Sequence, residues 1–227
     1  MLKNLFKLIF PNLCCGCKNL LVNNEHLLCF RCRHDLPFTH HHKIPNNDTI
    51  KKFYGVIPLE FGLSMLYFHH DGIVQELIHN LKYRNQQKIG TLLGEMYAKD
   101  LQNFEPIRSV TEIIPVPLHP KKLKERGYNQ VDSFCESIGN QLQIPVSKNL
   151  LLRKQYNKTQ TKKNREARQQ LKQTIFDINF TEKDENKHFL LVDDVITTGS
   201  TLEICAKALL KIPNTKVSIL TIAYTQS

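Results

Sequence analysis

The stretch that decides the fold is residues 189–201, which read FLLVDDVITTGST. Its apolar start, residues 189–192, predicts a short buried strand. Asp193 and Asp194 follow where that strand would leave the core, and a hydroxyl-rich turn that contains Gly199 comes next. This order places two carboxylates and a flexible turn together at the end of a buried strand.

A helix is predicted to begin directly after the turn. Ser200 and Glu203 have the spacing of a capping box, in which each side chain bonds the other residue's backbone N–H. Apolar residues then recur at the spacing of one helix face, namely at Leu202, Cys205, Ala206, Leu209 and Leu210. The free N–H groups and the dipole of such a helix start attract phosphate.

Strand, acidic pair, turn and helix start together form a layout for holding a sugar phosphate. The carboxylates of Asp193 and Asp194 can accept hydrogen bonds from the vicinal hydroxyls of a ribose. Gly199 allows the backbone to approach closely. Hydroxyl donors are supplied by Thr197, Thr198, Ser200 and Thr201. The GxxxxGK[ST] pattern of a Walker-type loop is absent. The plainer alternative is an aspartate pair at a strand end that only caps the helix.

Composition limits the class of protein. The 227 residues fit one ordinary domain with a small appendage, and a 41% share of hydrophobic residues supports a packed core. A formal net charge of +10 indicates an anionic partner, with nucleic acid and polyphosphate both open. No segment approaches the roughly 20 apolar residues of a membrane span. Lys7 interrupts the apolar start, so residues 2–10 are predicted as a short amphipathic helix and not as a signal peptide.

Seven cysteines are present, and four of them form two CxxC pairs. Cys14 and Cys17 make the first pair and Cys29 and Cys32 the second. Four thiolates suit tetrahedral zinc and leave no open coordination position, so a structural zinc site is predicted, with a disulfide framework as the alternative. This cysteine usage favours a reducing compartment, and we expect a cytoplasmic protein. The histidine run 40–42 has no regular ligand spacing and is predicted to be a solvated loop.

The middle of the chain predicts further strands and helices. Residues 36–58 contain three prolines and a polar run, which is typical of a linker or of a loop packed on the main domain. A strand is expected near residues 65–68, and helices over 72–84 and 88–104. The first helix ends in Lys82, Tyr83 and Arg84. These residues fit a favourable helix C-terminus and an anionic ligand equally well.

A second informative stretch is residues 112–130, EIIPVPLHPKKLKERGYNQ. Its start suits a core strand that Pro115 and Pro117 must end or bend. A basic segment with Arg126 follows and leads into another amphipathic helix. This strand–loop–helix order lies upstream of the acidic pair.

Residues 153–172 are the most charged part of the chain and include Lys162 and Lys163. A mobile loop is predicted there, which would close over a diphosphate during transfer. A cationic strip for nucleic-acid phosphates and a purely solvated charged face are the alternatives.

Together these segments resemble the ComF family, and residues 189–201 resemble the phosphoribosyl-diphosphate (PRPP) motif of type I phosphoribosyltransferases. The resemblance covers nearly the whole chain. It includes the four cysteines, HNLKYR at 79–84, PVPLHP at 115–120, RGYNQ at 126–130, and Gln160 with Arg168. It implies an α/β chain with a type I phosphoribosyltransferase fold, a central mostly parallel sheet flanked by helices. A small zinc-ribbon-like module would precede it, with boundaries at 1–45 and 46–227.

The resemblance also implies a chemistry: pyrophosphate leaves C1 of PRPP and a nitrogen nucleophile attacks, in a role linked to DNA uptake during natural competence. Asp193 and Asp194 would hold the ribose hydroxyls, and residues 197–201 the 5′-phosphate. Mg²⁺ would bridge ribose and diphosphate oxygens. The leaving group would be cradled by the loop with Val116 and Pro117 and neutralised by Arg126, Lys162 and Lys163.

Three hypotheses follow. The first is an active phosphoribosyltransferase that uses PRPP with Mg²⁺ and an acceptor that the sequence does not identify. The second is a catalytically silent protein of the same fold that binds single-stranded DNA. The third is an adaptor whose zinc module docks other DNA-uptake proteins.

Overall fold

The computed structural model describes residues 11–22, 24–154 and 175–226. The predicted amphipathic helix at 2–10 lies outside the described residues. So does most of the charged segment, including Lys162, Lys163, Gln160 and Arg168.

Strands and helices alternate along the described chain. The strands are β1 Gly62–Phe68, β2 Glu112–Pro115, β3 Leu151–Arg153, β4 Phe176–Ile178, β5 His188–Ile196 and β6 Lys216–Thr225. The helices are α1 Phe30–His34, α2 Asp48–Lys51, α3 Ile73–Tyr83, α4 Lys88–Leu101, α5 Pro120–Arg126, α6 Asp132–Leu142 and α7 Ser200–Leu209.

Four strands form one parallel sheet in the order β1-β6-β5-β2. Strands β3 and β4 pair antiparallel in a separate ribbon. The predicted α/β architecture with a mostly parallel sheet is therefore confirmed. Because the main strands run in one direction, their carboxyl ends meet at one edge, which is where ligands bind in open α/β sheets.

Helices cover both faces of the sheet, so its strands are apolar along their length. In β5, Leu190 and Val192 join a buried cluster with residues of α3, α4 and α6. Phe189 and Leu191 join a second cluster, with residues of α7. Since successive strand residues point to opposite faces, neighbouring residues at the end of β5 serve different sides of the sheet.

Strand β5 is longer than predicted. It continues to Ile196 because β6 remains paired with it as far as Tyr224. The aspartate pair therefore lies within the strand, where Asp193 pairs with Thr221 of β6, and not beyond its end.

Helices α4 and α6 pack closely because α4 carries glycine at the contact. A Cβ atom on Gly94 would lie 2.6 Å from Cβ of Ser137 and 2.9 Å from the backbone oxygen of Phe134. One turn earlier, the Ser133 hydroxyl donates to the backbone oxygen of Gln87 at 2.8 Å.

We expect Gly94→Ala to lower the free energy of unfolding by about 1–3 kcal/mol, because the added methyl group overpacks this contact. Urea denaturation followed by circular dichroism measures the change. Thr91→Ala, on the exposed side of the same helix, is the control and should shift stability by less than about 0.5 kcal/mol. Equal stability of Gly94→Ala and wild type would contradict the close contact.

The segment expected to be a linker or a packed loop is packed on the sheet. Phe38 bridges Leu66 of β1 in antiparallel orientation. The Thr49 hydroxyl lies 3.1 Å from Nδ1 of His41 and 2.6 Å from the hydroxyl of Ser64. His41 is only 2% exposed, and burial lowers its pKa to about 4. The prediction of a solvated histidine loop is wrong for this residue, because the run turns back onto the sheet.

Within the described ranges, the helices are too short or too polar to cross a membrane.

Candidate functional site

Asp194 is the best-connected residue at the carboxyl edge of the sheet. It is 6% exposed, and its Oδ2 atom lies 2.9 Å from Nζ of Lys82. The same oxygen accepts a hydrogen bond from Nε2 of Gln130 at 2.6 Å. The Gln130 carbonyl in turn accepts from the guanidinium of Arg126. One carboxylate oxygen is thus fixed by a cation and an amide, and the predicted catalytic residues Arg126 and Asp194 belong to one network.

Asp193 points to the opposite face of the sheet. Its Oδ1 accepts a hydrogen bond from the backbone N–H of Asp194 at 2.8 Å. Burial raises the pKa of Asp193, and the negative charge of Asp194 raises it further, against the opposing charges of Lys82 and Arg153. Within the described ranges, the second oxygen of each aspartate has no hydrogen-bond partner, so each carboxylate is held through one oxygen only.

The raised pKa of Asp193 predicts that stability falls with pH. A carboxyl group that is harder to ionise when folded destabilises the protein as pH rises above its ordinary pKa of 3.8. We therefore expect Asp193→Asn to raise the melting temperature relative to wild type more at pH 8 than at pH 4. Differential scanning calorimetry at both pH values measures this.

The control is Asp177→Asn. The Asp177 carboxylate lies 2.9 Å from Nζ of Lys154 at the surface, and this pairing lowers its pKa. Replacement of Asp177 should not give a stability gain that grows with pH. If Asp193→Asn gave no larger gain at pH 8 than at pH 4, the predicted ionisation cost at Asp193 would be absent.

The predicted phosphate loop joins β5 to α7. Gly199 is the N-cap of α7 with a φ of 78°, and no side chain caps the helix. The hydroxyls of Thr198 and Ser200 lie 3.0 Å apart. The hydroxyl-bearing residues of the loop are all exposed, namely Thr197, Thr198, Ser200 and Thr201. The Ser200 N–H donates to the Thr198 hydroxyl at 3.4 Å. The helix start thus presents hydroxyls and backbone N–H groups that the N-cap residue does not bond, as an anion site requires.

The predicted capping box is wrong. The helix does begin at Ser200, but the cap is Gly199. The Glu203 carboxylate instead accepts a 2.6 Å hydrogen bond from Lys207, one turn further along. A glutamate folded back over the first turn would place negative charge at the phosphate position, so its absence there suits the predicted ligand.

Phe53 supports the loop from below. It is 3% exposed, and two of its ring atoms would lie 3.1 Å from a Cβ atom on Gly199. The segment before β1 therefore contributes directly to the shape of the phosphate loop.

The loop after β2 runs beside β5. The Val116 N–H donates to the backbone oxygen of Val192 at 2.8 Å, and the Val116 oxygen accepts from the Asn129 side chain at 2.9 Å. Pro117 follows, and His119 caps α5 by accepting from the backbone N–H of Lys121. These contacts place the predicted pyrophosphate loop next to the strand that carries the acidic pair. They also show the basic segment to be a short helix.

A small cavity of about 240 Å³ opens beside this network. The guanidinium of Arg126 stands 5.3 Å from the ring centre of Tyr83. The Tyr128 hydroxyl donates to the backbone oxygen of Leu81. Three cationic side chains and one carboxylate line the cavity, those of Lys82, Lys122, Arg126 and Glu125. The cavity is therefore suited to an anionic group.

The four predicted zinc ligands are brought together. The sulfur atoms of Cys14, Cys17, Cys29 and Cys32 lie within 4.8 Å of one another. Backbone N–H groups point at the sulfurs: Gly16 and Cys29 donate to Cys14 at 3.4 and 3.3 Å, and Cys32 donates to Cys29 at 3.4 Å. Four converging sulfurs with N–H donors fit a tetrahedral metal ion, and zinc prefers such ligands.

Several site residues were not predicted as such. For Lys82 the sequence leaves a helix-end cation and an anion contact equally open, without naming Asp194 as its partner, and Gln130 enters only as part of RGYNQ. No sequence pattern assigns Phe53 to the site, because a phenylalanine that packs under a loop cannot be distinguished by sequence from any other core phenylalanine. The close spacing of Lys82, Tyr83 and Arg84 was the one clue to the cavity.

Part of the chain is similar to known proteins. A model of the phosphoribosyl transferase domain matches residues 136–227, which contain the acidic pair and the predicted phosphate loop. Competence protein F of Haemophilus influenzae is 32% identical over 140 residues, 60% of this chain and 61% of that protein. The chain therefore spans less than two thirds of that relative.

Two further relatives are similar. DNA utilization protein YhgH of Escherichia coli K12 is 24% identical over 200 residues, covering 87% of this chain and 84% of that protein. Competence protein ComFC of Bacillus subtilis is 27% identical over 144 residues, covering 63% of this chain and 56% of that protein. The predicted resemblance to the ComF family is confirmed by these relatives.

Solved structures also align with part of the chain. Glutamine PRPP amidotransferase from B. subtilis aligns with a TM-score of 0.44 at 17% identity, over 63% of this chain and 30% of that chain. Adenine phosphoribosyltransferase from Leishmania tarentolae aligns with a TM-score of 0.38 at 13% identity, over 66% of this chain and 74% of that chain.

Proposed function

We propose that this chain, which carries a phosphoribosyl transferase domain and resembles the ComF proteins, binds PRPP together with Mg²⁺ and acts in DNA uptake. The observation that carries this proposal is the joint geometry at the edge of the sheet. Asp193 and Asp194 each have one oxygen without a hydrogen-bond partner among the described residues, and the turn that follows them leads into the start of α7. A ribose and its 5′-phosphate need these two features next to each other.

The residues divide between the parts of PRPP. The second oxygens of Asp193 and Asp194 would accept the ribose hydroxyls near C1, where positive charge develops as diphosphate leaves. Residues 197–201 would hold the 5′-phosphate. Arg126 and the loop with Val116 and Pro117 would receive the diphosphate, since cations at the leaving group stabilise its developing charge. Lys162 and Lys163 are proposed to contribute from the charged segment.

The proposed reaction is a substitution at C1 of the ribose. The bond between C1 and the diphosphate oxygen breaks, a bond from an acceptor nitrogen to C1 forms, and the nitrogen loses a proton. The residues present fit Mg²⁺, because free carboxylate oxygens and phosphate oxygens are its preferred ligands. When bound, Mg²⁺ would neutralise charge on the diphosphate.

The N-terminal module, proposed as residues 1–45, would hold zinc in a structural role, and residues 46–227 would form the transferase domain. The four sulfurs fill a tetrahedral coordination shell, which leaves no position for a substrate.

The test is calorimetric titration of PRPP, with Mg²⁺, into the zinc-loaded protein and into the double variant Asp193→Asn, Asp194→Asn. Saturable binding to wild type and its loss in the double variant would support the proposal. We expect the loss to exceed about 100-fold, which corresponds to about 2.7 kcal/mol.

Asp177→Asn is the matched control, because it makes the same chemical change at a surface ion pair. Equal binding to wild type and to the double variant would remove the acidic pair from the site. Absence of binding to wild type would rule out the proposed function, and a salt-dependent titration with single-stranded DNA would then test the binding alternative.

A further inference from the structure

The cysteine cluster and the acidic pair are joined by one helix, α3. The cluster contacts α3 along its length. At its start, a Cβ atom on Gly16 would lie 2.9 Å from Cγ2 of Ile73. One turn later, Nζ of Lys18 lies 2.9 Å from the carboxylate of Glu76.

The third contact is made by a buried side chain. The side chain of Asn80 is 4% exposed, and its Nδ2 donates to the backbone oxygen of Cys15 at 2.8 Å. Cys15 stands between the metal-ligand positions Cys14 and Cys17. Its carbonyl position is therefore set by the turn that places the sulfurs of both ligands.

The residues that follow Asn80 all support the proposed PRPP site. The Leu81 carbonyl accepts from the Tyr128 hydroxyl. Lys82 lies 2.9 Å from the carboxylate of Asp194. The Tyr83 ring lies under the guanidinium of Arg126 at 5.3 Å. Within one helical turn, the chain therefore passes from the cysteine turn to three contacts with the site.

We propose that Asn80 is a positioning residue that links metal occupancy of the cysteine cluster to the placement of Lys82 and the affinity for PRPP. The inference rests on the proposed function. With metal bound, the Cys14–Cys17 turn is fixed and Asn80 holds the last turn of α3 against it. Without metal, this turn loses its anchor, because four thiolates no longer share a cation, and Lys82 is held less firmly at Asp194.

A double-perturbation cycle tests the link. The first perturbation removes the cluster metal by chelation, followed by exchange into Mg²⁺ buffer. The second is Asn80→Leu, which keeps the side-chain size and removes the amide donor. We expect either one alone to weaken PRPP binding about tenfold, within the usual range for coupled sites. In Asn80→Leu, metal removal should then weaken binding by less than about twofold, because the link is already broken.

Asn103→Leu is the matched control. The Asn103 side chain also bonds a backbone oxygen at a helix end, that of Lys99 at 3.3 Å, but at the far end of α4. The Asn103→Leu variant should have the PRPP affinity of wild type and should lose affinity on metal removal to the same extent as wild type. Two results would overturn the inference. One is that metal removal weakens PRPP binding as much in Asn80→Leu as in wild type, and the other is that metal removal leaves the PRPP affinity of wild type unchanged.

Hydrogen exchange on the ligand-free protein tests the same link without PRPP. Metal removal should speed exchange of residues 79–84 and 126–130 by about tenfold or more, as expected for local opening, and leave α7 unchanged. Exchange that increases only within residues 14–32 would contradict the link. If wild type fails to bind PRPP, the proposed function fails, while this measurement still decides whether the cluster positions α3.

Discussion

Gly199→Val should reduce PRPP affinity by about 100-fold or more, equivalent to about 2.7 kcal/mol. Gly199 has a φ of 78°, a conformation that a β-branched residue adopts only under strain of about 1–3 kcal/mol. Its Cβ atom would also lie 3.1 Å from two atoms of the Phe53 ring, which is buried and cannot move away easily. Both effects displace the loop that holds the proposed 5′-phosphate. Titration of PRPP with Mg²⁺ into the folded variant measures the loss.

Gly55→Val separates the local effect from general strain. Gly55 also has a positive φ, 71°, but a Cβ atom there would meet nothing within 4 Å. It should lower stability without a comparable loss of PRPP affinity. If Gly199→Val bound PRPP as tightly as Gly55→Val does, the phosphate would not lie at the start of α7.

Lys82→Met should destabilise the protein by about 2 kcal/mol and weaken PRPP binding as well, because it leaves the buried carboxylate of Asp194 without its cation. The side chain of Lys82 is 24% exposed and that of Asp194 is 8% exposed. The expected cost is therefore below that of a fully buried pair. Urea denaturation and PRPP titration measure the two effects, and Lys82→Arg should recover most of both.

The double variant Lys82→Met, Asp194→Asn gives the decisive comparison. It should be more stable than Lys82→Met alone, since it removes the unpaired charge together with its partner. Lys207→Met breaks an exposed pair with Glu203 and should change stability by less than about 0.5 kcal/mol. Additive losses in the double variant would show that Lys82 and Asp194 do not interact.

The sequence predicted the elements of the sheet well, because local signals are strong there. The apolar run before Asp193 is too short for a typical helix and so favours a buried strand, and the proline pair around Val116 ends the preceding strand. The convergence of the four cysteines also follows from their spacing, since two CxxC pairs are typical of a shared metal site.

Most of the failed predictions concern residues whose partners are distant in sequence, and the capping box failed for a local reason. Strand β5 extends to Ile196 because β6 pairs with it, which no local pattern reveals. Glu203 satisfied the capping-box spacing, but Lys207 offers it a charged partner and Gly199 a cap that needs no side chain. His41 is buried because Thr49, Ser64 and the rings of Tyr67 and Tyr224 surround it. The contact of Lys82 with Asp194 depends on where α3 ends in space.

The strand order has a consequence for how the protein is made. β6 lies in the middle of the sheet, between β1 and β5, and Ser64 of β1 pairs with Thr221 of β6 across 157 residues of sequence. During synthesis the segment around Phe38 can pair with one edge of β1. The other edge of β1 has no partner strand until β6 has left the ribosome, so β1 stays separate from the rest of the sheet for most of translation. Such non-local pairing is slow and exposed to aggregation. In a nascent chain stalled before residue 216, β5 and β2 should therefore be paired while β1 is separate from them. Such a chain should depend on chaperones until β6 is inserted between the two parts.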